Sequence, residues 1–424
     1  MSENDPVTSA QKRIVSVLFI AQSFFSASSI AAFTLSPIIS STLSGTDSWV
    51  GLPNTLTLLG RAGFALPLGI MMDRFGRRLA LSSGYSMAIV GSIISVLAIT
   101  SGNFLIFLLG ALFLGMARSA GDQSRYVGAE VFTLSRRAKV IGIVVSAGTV
   151  GAIFGPLLVP LSTSWITRIG LPESSGPFIV SSILMVYATG AVFFFLRPDP
   201  KELGQDIADH EAAQNLESID NLTAERRPLR EIFAAPMVQL AILAMVLGFF
   251  VMAFLMVITP LHMDRAAHGT SAISAVIMAH TLGMFGLSWL TGGLIDRFGR
   301  IPMILAGTAI LGLSCILAPL SLQVPILGLA LFLLGLGWNF CYVSGSSLLS
   351  DALAAQERGR AQGASEALVA IGAGLASLSV GLVFAQGGYL LVSIIALILT
   401  LLLGFLTYWL VRKDRRLVGT LAES

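Results

Sequence analysis

Charged side chains are scarce in this sequence: they make up 12% of its 424 residues, whereas soluble domains carry about 25%. Cysteine is nearly absent too, because the chain has only Cys315 and Cys341, and both lie in apolar runs, so no disulfide framework is expected. The sequence also lacks a nucleophile–base set, a phosphate-binding loop and a cofactor fingerprint. These absences argue against a soluble protein and against an enzyme, and we expect no cofactor.

Long apolar runs are what the sequence has instead. Runs of about 20 residues, the length that spans a hydrocarbon core of about 30 Å, recur from Ile14 to near Val411. They predict an all-α polytopic membrane protein with 12 transmembrane helices. The predicted spans are residues 14–38, 49–72, 79–100, 103–127, 139–164, 177–197, 236–261, 270–294, 301–320, 323–349, 361–384 and 387–411. The first run is too long for a signal peptide, so we expect the N-terminus to be retained.

Lysine and arginine in the short loops predict the orientation. They gather on one side of the predicted spans, and the opposite loops hold only Arg168 and Arg265. The positive-inside rule places the basic side, with both termini, in the cytoplasm. Because the basic residues are spread along this rim, the net charge of +3 indicates no nucleic-acid partner. The lipid bilayer is the expected partner, and we expect the chain to act as a monomer.

A polar stretch at residues 198–235 divides the chain into halves of six spans each, residues 1–197 and 236–424. We interpret it as a cytoplasmic linker that is partly helical. The halves share internal repeats. "GIMMDRFGRR" at 69–78 returns as "GGLIDRFGR" at 292–300, and "AEVFTLSRRAKVIG" at 129–142 returns as "SDALAAQERGRAQG" at 350–363.

These repeated loops resemble the major facilitator superfamily, whose most specific pattern, G-x-x-x-D-R-x-G-R-R, occurs at residues 69–78. The resemblance extends from end to end of the chain. It implies the major facilitator fold, in which two six-helix bundles expose a central site to one side at a time. It also implies that the loop residues serve topology and gating. These residues are Gly69, Asp73, Arg74, Gly76, Arg77, Asp296, Arg297, Gly299 and Arg300.

Charged residues lie deep within predicted spans two and four, where charge is expensive. They are Arg61 in span two and Arg118, Asp122 and Arg125 in span four. Structural pairing and substrate or proton coupling both account for them. In span five, Gly151 and Gly155 precede Pro156, as in many proton-driven drug exporters, although small residues at that spacing also allow two helices to approach.

Spans seven and eight concentrate methionine and histidine. Met245, Met252, Met256 and Met263 follow one stripe of span seven. Span eight carries His280 about ten residues, roughly 15 Å, from its outer end, and Met284 one turn later. Because the two spans are consecutive and antiparallel, we expect Met252 and His280 at similar depth. The loop between them adds His262 and His268, which with Met263 we interpret as a metal-capture region.

The chemistry of this set favours a soft metal. Neither span contains a carboxylate, thioethers select Cu(I), and imidazole also suits copper. Taken singly, a methionine is more often core filling and a histidine more often bonds a carbonyl. The pattern Met252-x-x-x-Met256 followed by His280-x-x-x-Met284 resembles that of the CcoA-like copper importers, a branch of the same superfamily.

That resemblance implies copper uptake across the bacterial cytoplasmic (inner) membrane for assembly of cbb3-type cytochrome oxidase, with a cytoplasmic copper acceptor as partner. Copper would then be the transported substrate, held by Met252, Met256, His280 and Met284. Related riboflavin importers share the fold, so flavin import remains an alternative. Proton-coupled drug efflux and a sensor that binds without transporting are the others.

Overall fold

The computed structural model describes residues 6–214, 228–353 and 355–422, and within these ranges all regular secondary structure is helical. The first group of helices is α1 (Pro6–Ser44), α2 (Leu52–Phe75), α3 (Arg77–Ser101), α4 (Phe104–Glu130), α5 (Leu134–Arg168), α6 (Gly176–Phe195) and α7 (Pro200–Gln214). The second group is α8 (Leu229–Ala234), α9 (Pro236–Arg265), α10 (Thr270–Phe285), α11 (Ser288–Phe298), α12 (Arg300–Leu317), α13 (Val324–Asp351) and α14 (Ala355–Ala422).

Ten of the described helices are long and apolar enough to cross a membrane, and a bent pair, Thr270–Phe285 with Leu290–Phe298, raises the number to 11. One of the ten covers 54 residues, Ala361–Asp414. At 1.5 Å per residue it is far longer than one hydrocarbon core of about 30 Å. Its backbone leaves helical geometry at Gly387 and Gly388, where the sequence separates spans eleven and twelve. The protein is therefore an all-α multi-pass membrane protein.

The chain divides into two compact units. The first comprises Met1–Ser44 and Leu56–Thr223, where α1 packs on α5 and α6, and α3 packs on α4 and α6. Its core surrounds the fully buried ring of Tyr85. Local sequence sets the turn before α4: α3 ends at Gly102 with φ of 66°, and the Asn103 side chain accepts a hydrogen bond from the Ile106 N–H.

The second unit comprises Ala224–Ser424 and also Gly45–Thr55, the segment that joins α1 to α2. Within it α13 is the common partner, because α9, α10 and α12 all pack against it. α9 also packs along α14, and it makes few contacts with α10. The sequence-based boundaries assigned Gly45–Thr55 to the first half, whereas its contacts group it with the second.

Candidate metal centre

His280 lies in α10 and is 1% exposed. Its Nδ1 is 3.0 Å from the carbonyl oxygen of Leu331 in α13. Because a carbonyl oxygen only accepts, Nδ1 carries the proton of the neutral ring and Nε2 carries a lone pair. Among the described residues, Nε2 is buried without a hydrogen-bond partner, which ordinarily costs about 1–3 kcal/mol. One ring nitrogen fixed by a carbonyl and the other free is the arrangement of a metal-ligating histidine.

α13 holds the turn between His280 and Met284 in place. A Cβ on Gly335 would lie 2.3 Å from the His280 carbonyl oxygen and 3.1 Å from Met284 Cγ, so only glycine permits this approach. The side-chain amide of Asn339 donates to the Met284 carbonyl oxygen at 2.7 Å. Asn339 in turn accepts a hydrogen bond from the Thr291 hydroxyl at 2.6 Å. The sequence interpretation missed Asn339, although an amide inside an apolar span was a usable signal.

Span eight, predicted as one helix over 270–294, is broken immediately after Met284. α10 ends at Phe285 and α11 begins at Ser288, with a bend of 44° between the two segments. Irregular backbone within a membrane is tolerated where it is buried in protein or lines a cavity. Discontinuous helices of this kind form the substrate sites of many transporters. At the break the Met284 carbonyl oxygen accepts hydrogen bonds from the Asn339 amide at 2.7 Å and from the Ser288 hydroxyl at 3.3 Å.

The four methionines of the predicted stripe on α9 are all buried. Met245 is 2% exposed, Met252 and Met256 are each 5% exposed, and Met263 is fully buried. The four candidate ligands lie on α9 and α10. These two helices both pack against α13 and make few direct contacts with each other. No three His, Cys, Asp or Glu side chains converge within the described residues, so a metal site there would depend on methionine sulfur.

The end of α9 carries the proposed capture residues. The His262 ring stacks on Tyr389 with centroids 4.2 Å apart, and His268 Nδ1 lies 3.3 Å from the Met263 carbonyl oxygen. Since the Met263 side chain is fully buried, it is not available to capture an ion from solution in this conformation. The two histidines, each partly exposed, remain candidates.

The first repeated loop is a network of charges. Gly76 separates α2 from α3 with φ of 88°, and Arg77 pairs with Asp73 at 3.0 Å and with Glu130 at 2.8 Å. Asp199 accepts hydrogen bonds from the backbone N–H groups of Arg77 and Arg78, at 3.0 and 3.1 Å. Beside this network lies a cavity of about 580 Å³. Gly69 lines the cavity, and Arg74 is exposed.

The second loop repeats this geometry. Gly299 has φ of 87° and ψ of 165°, against 88° and 166° at Gly76. Arg300 pairs with Asp351 at 2.8 Å, and Asp351 occupies the position of Glu130 in the repeated sequences. Asp296 and Arg297 are exposed, and the Arg297 guanidinium lies over the Phe298 ring. The acidic partners Glu130, Asp351 and Asp199 were not predicted.

The charged residues inside spans two and four are brought together. Arg61 Nε lies 2.6 Å from Asp122 Oδ2, and Arg118 and Arg125 belong to the same helix as Asp122. The glycine pair of span five has a packing role: a Cβ on Gly151 would lie 2.2 Å from Ser26 Oγ of α1. Close approach of α5 to α1 therefore explains the motif that suggested drug efflux.

Known proteins similar to this chain are transporters. The family profile of the Major Facilitator Superfamily matches residues 17–292 and 241–423. An uncharacterized MFS-type transporter of Bacillus subtilis, YdeG, is 34% identical over 416 residues, which cover 96% of this chain and 94% of that protein. The riboflavin transporter RfnT of Brucella anthropi is 32% identical over 399 residues, covering 92% and 95%.

Solved structures support the same fold. A bacterial homologue of the human lysosomal transporter Spinster, inward-facing and occupied, aligns over 97% of this chain and 99% of that one, with a TM-score of 0.71 and 15% identity. A D-xylose–proton symporter aligns over 92% and 96%, with a TM-score of 0.70 and 14% identity. At these identities the likeness concerns the fold alone, and the fold is that of membrane transporters.

Proposed function

This chain belongs to the Major Facilitator Superfamily, and we propose that the substrate of this secondary transporter is copper, taken up by alternating access. Met252, Met256, His280 and Met284 would bind the ion, with His280 and Met252 as the principal ligands. Thioether and imidazole together favour copper over hard cations such as Mg²⁺ or Ca²⁺. Uptake would run across the cytoplasmic membrane, with both termini in the cytoplasm, and would supply a cytoplasmic acceptor for cbb3-type cytochrome oxidase assembly.

The observation that carries this proposal is the free Nε2 of His280. His280 is 1% exposed, and the Leu331 carbonyl oxygen orients its ring. The lone pair of Nε2 is therefore fixed in direction and shielded from water. If His280 were only a packing residue, its buried Nε2 would remain unsatisfied at a cost. A metal ion satisfies it.

The broken helix after Met284 supports the same site. The Asn339 hydrogen bonds to the Met284 carbonyl oxygen and to Ser288 Oγ, at 2.7 and 2.9 Å, fix the backbone on both sides of the break. Outer groups of this kind set the orientation of ligands, and their loss typically reduces metal affinity by about 10–100-fold. A backbone held in this way would help to orient His280 and Met284 as donors to the ion.

Riboflavin import is the second candidate function. It is favoured by the similarity to RfnT, at 32% identity over 92% of this chain. A flavin would bind through ring stacking and hydrogen bonds, and it would not require thioether donors. The two candidates therefore differ in what they demand of Met252 and His280.

The test is uptake of radioactive copper and of radioactive riboflavin, measured in parallel in cells that lack the protein and then express it. We expect expression to restore copper uptake and to leave riboflavin uptake unchanged. Riboflavin uptake without copper uptake would establish the second candidate. Uptake of neither would leave a superfamily transporter with another substrate and refute the copper proposal.

His280→Asn is the sharpest variant for this assay. Its side-chain amide can still donate to the Leu331 carbonyl oxygen, but it has no equivalent of Nε2. We expect a folded protein at normal abundance with no copper uptake. His268→Asn is the matched control, for which we expect a raised half-saturating copper concentration and a nearly normal maximal rate. Normal uptake by His280→Asn would show that the histidine only packs.

A further inference from the structure

Four charged side chains lie on α2 and α4 of the first unit, inside the predicted membrane spans, and the three on α4 follow at i, i+4 and i+7, on one side of that helix. Arg61 and Asp122 form an ion pair at 2.6 Å. Ser119 Oγ donates to the Arg61 carbonyl oxygen at 2.6 Å, and a Cβ on Gly60 would lie 2.2 Å from the Leu112 carbonyl oxygen. The two helices are therefore in close contact here, and the charges are held at a fixed spacing.

Positive charge exceeds negative charge in this group. Asp122 is engaged by Arg61, whereas Arg125 Nη2 donates to the neutral Tyr126 hydroxyl at 3.1 Å and its guanidinium lies 4.8 Å from the Tyr126 ring. Arg125 Nε is buried without a hydrogen-bond partner among the described residues. Arg118 lies one helical turn before Asp122 on α4. Among the described residues of this group, the one carboxylate pairs with Arg61, and Arg125 has no acidic partner.

The depth of these charged groups in the membrane determines whether lipid or water can surround them. Arg61 is nine residues from the start of α2 and Arg118 is 14 residues from the start of α4, or about 14 Å and 21 Å along the helices. Arg118 is nevertheless exposed on the surface of the protein. Because a cation at such depth ordinarily faces the bundle interior or a water-filled path rather than lipid, we infer that an anion can reach this face of α2 and α4.

We propose that Arg61, Arg118 and Arg125 form a binding site for a small soluble carboxylate or phosphate. The planar guanidinium fork matches the two oxygens of these groups, and the unpartnered Arg125 Nε offers a further donor. When no anion is bound, Asp122 pairs with the Arg61 guanidinium group. Asp122 and the anion therefore compete for Arg61. The site does not depend on which cargo the second unit carries.

The test uses the full-length purified protein in neutral detergent, with citrate and inorganic phosphate as probes and chloride at equal ionic strength as the reference. Thermal stabilisation and calorimetry report binding. We expect at least one probe to bind, and Arg118→Gln to weaken it about tenfold or more, because a hydrogen-bonded charge is lost. Arg168→Gln, which changes an arginine at the end of α5, is the control with unchanged affinity.

The Asp122→Asn variant distinguishes an anion site from an ion pair that serves only structure. Removing the competing carboxylate frees Arg61, so we expect anion affinity to rise about tenfold. A structural pair predicts a less stable protein with no gain in anion binding, and that result would overturn the proposal. So would wild-type anion affinity in Arg118→Gln, or stabilisation by phosphatidylglycerol but by neither soluble probe.

Copper binding by the same variants separates this inference from the proposed function. We expect Arg118→Gln and Asp122→Asn to bind copper as the wild type does, because His280 lies in the other unit. Anion binding that survives in His280→Asn would support the anion site even if copper uptake were refuted. If Arg118→Gln fails to fold, the rise expected in Asp122→Asn decides the proposal alone.

Discussion

The two halves of this protein share their loops and differ in their membrane-embedded chemistry. Gly76 and Gly299 have φ and ψ values within one degree of each other, and each loop places an arginine against an acidic residue of another helix. Inside the spans the first unit carries Arg61, Arg118, Arg125 and Asp122, whereas the second carries His280 and the methionine stripe of α9. The internal repeats therefore predict the loops that the two halves share, and they do not predict the transported substrate.

The largest expected effect tests whether Met252 binds the ion through its sulfur atom or only fills space in the core. Met252 in the second unit and Met72 in the first are each 5% exposed, so they form a matched pair. Methionine-to-leucine exchange in a core usually costs less than about 1.5 kcal/mol. We expect Met252→Leu to be present at normal levels with no copper uptake, and Met72→Leu to transport normally. Equal uptake by the two variants would remove Met252 from the site.

The next effect tests whether α13 positions His280. In Gly335→Ala the new Cβ would meet the His280 carbonyl oxygen at 2.3 Å, whereas in Gly328→Ala, on the same helix, the nearest atom is Ala279 Cβ at 4.0 Å. Overpacking of this kind costs about 1–3 kcal/mol, and we expect α10 to shift.

Calorimetry on purified protein should therefore show copper binding at least about tenfold weaker in Gly335→Ala and unchanged in Gly328→Ala. If the two alanine variants bound copper alike, the position of α10 against α13 would be irrelevant to the site.

The sequence predicted the parts of this structure that depend on local composition. Apolar runs of membrane length predicted the spans, and the repeated G-x-x-x-D-R-x-G-R pattern predicted two equivalent loops, whose glycines adopt the same left-handed conformation. Asp73 and Asp296 are accordingly equivalent positions of the two loops. Candidate residues for copper remain a prediction, because chemical type and spacing alone suggested them.

The sequence alone could not predict which residues far apart in the chain come into contact. The hydrogen bond from His280 to Leu331 and the contact of Gly335 with the His280 turn join residues some fifty positions apart, and helical periodicity does not specify which helices become neighbours. The break after Met284 was missed because neither Gly286 nor Leu287 is a strong breaker in an apolar run. Asp199 was missed because it stands in a polar linker, where a charged residue is ordinarily solvated.

A smaller effect distinguishes the two repeated loops. Alanine at either left-handed glycine costs about 1–2 kcal/mol. In Gly76→Ala the Cβ would also lie 2.5 Å from the Asp199 carboxylate, whereas at Gly299 the nearest atom is Pro302 Cδ at 3.8 Å. Displacing Asp199 from the start of α3 adds about 1 kcal/mol. We expect Gly76→Ala to lower the thermal unfolding midpoint more than Gly299→Ala, and the reverse order would contradict a capping role for Asp199.

The smallest effect concerns Asp73, whose side chain is 81% exposed. Asp73→Asn weakens the pairing with Arg77, but Arg77 keeps Glu130 at 2.8 Å, and Lys201 keeps its hydrogen bond to the Asp73 backbone carbonyl at 2.6 Å. An exposed ion pair contributes no more than about 1 kcal/mol, so we expect transport to slow by no more than about fivefold. Equilibrium copper binding should stay at the wild-type value if, as the sequence predicts, Asp73 gates the transporter and does not bind its cargo. Parallel measurement of uptake rate and copper affinity checks this, with Asp296→Asn as the equivalent change in the second loop. A loss of affinity in proportion to the loss of rate would assign Asp73 to the binding site and would end the distinction between shared loops and cargo-specific spans.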